Sequence, residues 1–497
     1  MTFHVSLVGR SDLSGEIYRQ IRQAILDGRL QPGEALSPTR ELAAALAVSR
    51  STVAVAYERL LAEGFATSHV GAGTFVSREF EAKPAATKKK RALVRAIEPR
   101  ALWETISQTP AGFFRPVRFD FRGGLPDVSL FPHKAWRRAV NRALRQVEMT
   151  AGGYETPEGN RDLRAAIMRH IAISRHVSGS PDDVIITSGA QQALDILARV
   201  LVDPDDVVAM EDPGYQPAKQ VFRSAGARVI GVPVDGEGLL VQALPKRAKV
   251  VYVTPSHQYP LGVAMSLTRR RALLAWAERN NAVVIEDDYD SEFRFGGRPL
   301  EPMQALDSAG RVVYVGSFSK TMLPSLRLGF MVVPPPLQEA VQKAKFVNDW
   351  HVPTVSQNAL AHFIEDGDFA RHIRKASATY RERHEMLTGI IRRDFADYLE
   401  LIPSSTGLHV AAYARTASVE RIHAITSRAF ALHVAVQRLS NCSMGGKPQA
   451  GVILGYGLIE ATQIAEGLGR LRKCFADDET GRRPKGRGRG AAGDGRV

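Results

Sequence analysis

The sequence predicts an α/β protein: a parallel sheet layered with helices, preceded by a small helical module. Three observations predict it. Five short apolar runs, VIIT (184–187), VVAM (207–210), VVYV (250–253), VVIE (283–286) and VVYV (312–315), alternate with helical patterns, and each is followed by a polar or glycine-containing turn. Isoleucines at 17, 21 and 25 recur at helical spacing far ahead of that region, followed by two more helical stretches and a glycine-rich tip. The chain has 497 residues, which suits two or three domains.

Composition narrows the class. Hydrophobic residues make up 44% of the chain, normal for a protein with a sizeable core. The two cysteines, Cys442 and Cys474, exclude a disulfide scaffold and fit a reducing compartment. MTFHVSLVGR lacks the charged head and apolar run of a signal peptide, and no apolar run is long enough to span a bilayer. The expected location is the cytoplasm, with no membrane partner.

The net charge of +14 is unevenly placed. Residues 1–77 carry seven arginines against seven acidic residues and sum to zero. Residues 78–100 carry eight cations against three glutamates, and residues 481–497 carry six against one aspartate. The first of these stretches, KPAATKKKRALVRAIEPR at its heart, reads as a linker; the second, rich in Gly and Arg, reads as a disordered tail. The expected domains are therefore 1–77, a basic linker 78–114, a large domain 115–478 and a basic tail 479–497.

The first helix is LSGEIYRQIRQAILDG, closed by Gly28. In the second, Ser37 suits the N-cap and Pro38 the first helical position. The third runs between Ser49 and Gly64, with Val53, Ala56, Tyr57 and Leu60 toward the core. Its first turn carries Arg50, Ser51 and Thr52, where a recognition helix meets base edges. FATSHVGAGTFV then reads as two short strands around a Gly-Ala-Gly tip, a wing. Three helices and a wing make a winged helix-turn-helix.

In the large region, ligands of an open α/β sheet gather at the carboxyl ends of the strands. SGAQQAL follows the first run, and its helix-opening N–H groups suit a phosphate. EDPGY follows the second, TPSHQYPLG the third, Asp287, Asp288 and Tyr289 the fourth, and GSFSK with Arg327 the fifth. A phosphate cradle, an aromatic plate, a buried carboxylate and a lysine together suit pyridoxal 5'-phosphate, whose aldehyde takes a lysine amine and whose ring nitrogen needs a carboxylate beside it. No other phosphate-loop pattern occurs, and no metal set stands out among the thirteen histidines.

The first 77 residues, through GRLQPGEALSPTRELAAALAVSRSTVAVAYERLLAEGFATSHVGAGTFV, resemble the GntR type of bacterial regulator. That resemblance implies DNA contacts by Arg40, by Arg50, Ser51 and Thr52, and by the wing glycine Gly71 or Gly73. IEDDYDSEF and the S-x-S-K pattern with an arginine seven residues on resemble the fold-type-I aminotransferases over residues 115–478. This implies Lys320 as the Schiff-base lysine, Asp287 beside the pyridine nitrogen, with Asp288 the other candidate, Tyr289 at the ring hydroxyl and Tyr215 stacked on the ring. Ser317, Ser319, Arg327 and the turn Ser188, Gly189, Ala190 and Gln191 would hold the phosphate. The two halves in one chain resemble the MocR subfamily of GntR-type regulators, whose members are usually homodimers that bind operator DNA. The implied function is a regulator sensing pyridoxal phosphate, or an amine or amino acid, through Lys320.

Two departures bear on catalysis. Where many aminotransferases have N-P-x-G, this chain has YPLG, so Tyr259 takes the place of the asparagine, with Gln258 or His257 as substitutes. Where they hold the substrate carboxylate with an arginine, the matching stretch GVILGYG (451–457) has none. The alternatives are a working aminotransferase with an accessory DNA-binding module, and a regulator that has lost the cofactor.

Overall fold

A computed structural model describes residues 5, 12–69, 71–78, 98–107, 116–149, 153–296 and 301–479. The chain divides into two compact units, Met1–Pro99 and Arg100–Val497. Most of the expected linker and nearly all of the tail, from residue 480 on, lie outside the described residues. Within the linker, Ala101–Thr105 form a short 3-10 turn.

In the first unit, helix α1 (Leu13–Leu26) starts where Asp12 accepts the Gly15 N–H and buries Ile17, Tyr18, Ile21, Ala24 and Ile25. Helix α2 (Thr39–Ala45) begins one residue later than the sequence suggested. Pro38 sits at the cap with no side-chain cap bond, so Ser37 is not the N-cap; its carbonyl instead accepts the Tyr57 hydroxyl at 2.7 Å. Helix α3 (Arg50–Ala62) is capped by Ser49, whose Oγ accepts the Thr52 N–H. Val53, Ala56, Tyr57 and Leu60 face inward, as their spacing predicts, and pack with α1 into one core. Strands β1 (Ala66–His69) and β2 (Gly73–Val76) pair antiparallel, from Ala66 opposite Val76 to His69 opposite Gly73. Gly71 and Gly73 at the tip have φ of +80° and +112°, a region that favours glycine.

The second unit opens with β3 (Phe119–Phe121), α4 (His133–Met149) and α5 (Arg161–Arg175). Then β4 (Val184–Thr187), α6 (Ala190–Leu201), β5 (Val207–Asp212), α7 (Gln216–Ser224), β6 (Arg228–Asp235) and β7 (Gly238–Leu239) alternate. They continue through β8 (Ala248–Val253), α8 (Leu267–Arg279), β9 (Val283–Asp288), α9 (Met303–Leu306), β10 (Val312–Ser317) and β11 (Gly329–Val332). Helices α10 (Pro335–Asp349), α11 (Thr354–Glu365) and α12 (Asp368–Asp394) lead to β12 (Leu399–Leu401), β13 (His409–Ala414), α13 (Val419–Ala431), β14 (Val434–Arg438), β15 (Gly451–Gly455) and α14 (Ala461–Glu479).

All five apolar runs are strands of one eight-stranded sheet ordered β4-β11-β10-β9-β8-β5-β6-β7. The sheet is mixed rather than parallel throughout. β11 lies antiparallel between β10 and β4. β5, β8, β9 and β10 run parallel, so residues after them emerge at one edge. A second sheet, β12-β13-β15-β14-β3, carries its own core around Phe119, Phe121, Tyr380 and Tyr456. No described helix is long and apolar enough to cross a membrane.

Candidate functional site

Lys320 stands three residues past the end of β10, and its Nζ donates to the Gly124 carbonyl. Burial lowers its pKa, opposed by the charges of Asp290 and Asp287. A lysine so placed keeps more of its amine in the neutral, nucleophilic form.

Asp287 and Asp288 lie next to each other near the end of β9, and the two-residue period of a strand sends them to opposite faces. Asp288 is held by Arg175 Nε at 2.9 Å and by the Tyr314 hydroxyl at 2.5 Å. Its pKa is lowered: burial, the largest influence, would raise it, but Arg175 and its hydrogen bonds outweigh that. Asp287 accepts the Tyr252 hydroxyl at 2.7 Å through Oδ2, while Oδ1 is buried without a partner among the described residues. Burial pushes its pKa up to about 7. The carboxyl group that lacks a cation is therefore Asp287, on the Lys320 side.

Tyr289 follows directly, its hydroxyl 3.0 Å from His257 Nδ1. The same nitrogen lies 3.0 Å from Asp290 Oδ1. His409 packs against His257 with ring centroids 4.8 Å apart and the rings tilted by 45°, and its Nε2–H donates to the Pro260 carbonyl at 3.1 Å. Ligand atoms of His257, Asp290 and His409 come within 4.8 Å of one another, and of these the His257–Asp290 pair is hydrogen-bonded. Tyr259 packs edge-on against Tyr215 at 5.6 Å and against Tyr289 at 6.2 Å. Gln258 is occupied: its Nε2 donates to the Pro213 and Tyr259 carbonyls, and its Oε1 accepts the Leu261 N–H. Of the two substitutes considered for the missing asparagine, only His257 reaches Tyr289.

The phosphate-turn residues come together. Arg327 Nη2 donates to the Ser188 carbonyl at 2.7 Å. Gly189 has φ +87°, and a Cβ there would sit 2.9 Å from that same guanidinium nitrogen. Ala190 and Gln191 open α6, and the N–H groups of a first helical turn have no acceptor within the helix. Ser317 Oγ accepts the Ser319 N–H at 3.2 Å. Gln192, unnoticed in the sequence, closes the turn by accepting the Ser188 N–H at 2.7 Å. Its Nε2 ties the turn to Asn348 and Asp349 at the end of α10.

Opposite Lys320, Gly123 donates its N–H to Gln437 Oε1. A Cβ at Gly123 would lie 3.4 Å from His409 and from Ile453. Ile453 belongs to the stretch in which an arginine would have held a carboxylate, and it is fully buried in β15 beside Leu261, Ala411 and Leu439.

In the first unit, Arg40, Arg50 and Ser51 are exposed and Thr52 is half-buried. Ser49 Oγ lies 2.7 Å from both Ser51 Oγ and Thr52 Oγ1, which fixes the start of α3. Neither Arg40 nor Arg50 forms a salt bridge among the described residues. The wing glycines Gly71 and Gly73 are exposed.

Comparison with known proteins agrees with this division. Residues 13–76 match the bacterial regulatory proteins of the gntR family, and residues 125–440 match aminotransferase class I and II. The chain is 38% identical over 463 residues to the probable rhizopine catabolism regulatory protein MocR of Rhizobium meliloti, covering 93% of each chain. It is 30% identical over 445 residues to the pyridoxine biosynthesis transcriptional regulator PdxR of Corynebacterium glutamicum, covering 89% of this chain and 91% of that one. A crystal structure of the α-aminoadipate aminotransferase LysN from Thermus thermophilus, complexed with N-(5'-phosphopyridoxyl)-L-leucine, superposes with TM-score 0.67 at 30% identity. The match covers 73% of this chain and 93% of that one.

Proposed function

Because the chain belongs to the MocR-type regulators of the GntR family, which join a GntR DNA-binding region to an aminotransferase class I and II region, we propose that it reads operator DNA with its first unit and senses pyridoxal phosphate, or an amine, with its second. The observation that carries the reading is the Lys320 pocket. It combines a desolvated amine, a buried carboxyl at Asp287 with an unpartnered oxygen, and a glycine turn into which an arginine folds.

These residues fit the cofactor. An uncompensated buried carboxyl calls for a cation, and Asp287 would hold the proton of the ring nitrogen. The α6 N-terminus and Arg327 would hold the phosphate, and Tyr215 and Tyr289 would confine the ring. When bound, pyridoxal phosphate supplies an aldehyde that captures amines. Lys320 contributes the neutral amine for that capture. The stretch 451–457 has no arginine to hold an incoming carboxylate, which favours amines without one and disfavours turnover of ordinary amino acids.

DNA reading rests on Arg50, Ser51 and Thr52 in the first turn of α3, on Arg40 and on the wing glycines. An effector shifts DNA affinity only as far as it binds two arrangements of the protein differently. A homodimer is supported by an exposed aromatic patch on the second unit: Tyr154 stacks on Trp350 at 4.6 Å, and Phe346 lies 4.8 Å from Trp350. A two-fold dimer would read repeated half-sites.

The test is a visible spectrum of protein incubated with pyridoxal phosphate, beside gel-shift binding to the DNA upstream of its own gene. The expected outcome is a visible band, lost in Lys320→Ala, and a retarded DNA band. A colourless wild type, or multiple turnovers of amino donors with no DNA retardation, would contradict the reading.

A further inference from the structure

We propose that His257 and Asp290 form a positioning dyad that turns the Tyr289 hydroxyl into a hydrogen-bond donor toward the pocket, and so toward the ring oxygen of the cofactor. This rests on the cofactor reading above.

His257 follows β8, and Tyr289 and Asp290 follow β9; the two strands are parallel neighbours, so their ends adjoin. His257 Nδ1 lies 3.0 and 3.1 Å from the two Asp290 oxygens and 3.0 Å from the Tyr289 hydroxyl. A carboxylate only accepts, so the nitrogen facing it carries the proton. That nitrogen then has no lone pair for Tyr289. The phenol oxygen meets it as an acceptor, and the phenol's own proton is directed elsewhere. Without Asp290, the imidazole is free to take its other tautomer, accept from Tyr289 and withdraw that proton from the pocket.

The dyad is held rigidly. His257 and Asp290 are almost fully buried. The Leu408 N–H donates to Asp290 Oδ2 at 3.3 Å. Gly407, at φ +83°, lies so close that a Cβ would fall 2.2 Å from His257 Cε1 and 2.4 Å from Asp290 Oδ2. The strand ends of one sheet and the entry to β13 of the other thus clamp the pair. The titratable groups facing it are Tyr289, Asp287 and Glu292 near β9, His409 from β13, His384 from α12, Tyr456 after β15, and Lys320. Neither member is a catalytic residue; each acts through Tyr289.

The experiment is a pH titration of the visible band of the loaded protein. An O–H donated to the ring oxygen disperses its negative charge. Without that donor, the proton shared between the ring oxygen and the Lys320 nitrogen is held to higher pH. Tyr289→Phe, Asp290→Asn and His257→Leu should each raise the midpoint by about one unit, the scale of one hydrogen bond to a charged group. Tyr289→Phe combined with Asp290→Asn should shift it no further than Tyr289→Phe alone. His257→Asn, which keeps an N–H at the Nδ1 position, should stay near wild type. Wild-type midpoints in Asp290→Asn and His257→Leu, or additive shifts in the double variant, would overturn the proposal. In the cofactor-free wild type, 15N NMR should find the His257 proton on Nδ1, and a bare Nδ1 would overturn it too. A wild type that takes up no pyridoxal phosphate contradicts the cofactor reading instead, and the NMR result still decides the dyad.

Discussion

Burial pushes the Asp287 and Glu211 carboxyl groups up to about 7 and Glu292 up to about 8. Such groups bind protons more tightly folded than unfolded. Their contribution is present at low pH and is lost as pH rises through the folded value. Buried histidines held below their ordinary pKa, His170, His372 and His409 among them, act in the opposite sense at the acid end, so the test is the difference between variants: relative to the wild type, Asp287→Asn should lose stability at about pH 5 and recover it by about pH 8. Lys320, whose pKa is lowered, acts in the opposite sense above neutrality. Scanning fluorimetry across pH measures this, and a slope unchanged in Asp287→Asn would show that its carboxyl is not the group titrating. Lys320, Asp287 and Tyr289 were legible in the sequence because each follows an apolar run that is plainly a strand. The sequence put Asp287 ahead of Asp288, and the pairing of Asp288 with Arg175 is consistent with that order. The His257–Asp290 contact was not legible, since it joins residues on different strands whose adjacency only the sheet order reveals.

Helix α3 and the turn ahead of α6 carry the element-scale predictions. Arg50 is exposed on α3 and Leu60 is fully buried beneath it. Arg50→Ala should abolish specific operator binding with an unchanged melt and unchanged visible spectrum; retained binding would place recognition elsewhere. Leu60→Ala should destabilise the first unit by about 2–5 kcal/mol, read by denaturant titration. Gly189→Ala should keep the fold but weaken pyridoxal phosphate binding at least roughly tenfold, because the strained φ and the new Cβ displace the Arg327 guanidinium. Equilibrium dialysis measures that loss. The helices and the five strands were readable from period and run length. The direction of β11 was not, because the run GFMVV looks the same in either direction and the eleven residues between it and β10 leave either return open. The start of α2 was misplaced by one residue: Ser37 suits a cap and Pro38 a first helical position, but the helix begins at Thr39 and the Ser37 carbonyl accepts the Tyr57 hydroxyl instead.

At the scale of the molecule, the chain joins a DNA-reading unit whose first 77 residues are net neutral to a second unit that carries the lysine pocket. Neutrality leaves DNA affinity to a few placed arginines and to the basic stretch that follows. The central claim is that occupancy at Lys320 is linked to affinity for DNA. The most direct measurement is the dissociation constant for the operator, taken by fluorescence anisotropy at fixed salt, with and without saturating pyridoxal phosphate, in the wild type and in Lys320→Ala. The account predicts a several-fold change in the wild type that disappears in Lys320→Ala while basal DNA binding remains. Equal constants with and without the cofactor in a wild type that visibly binds it would contradict the account.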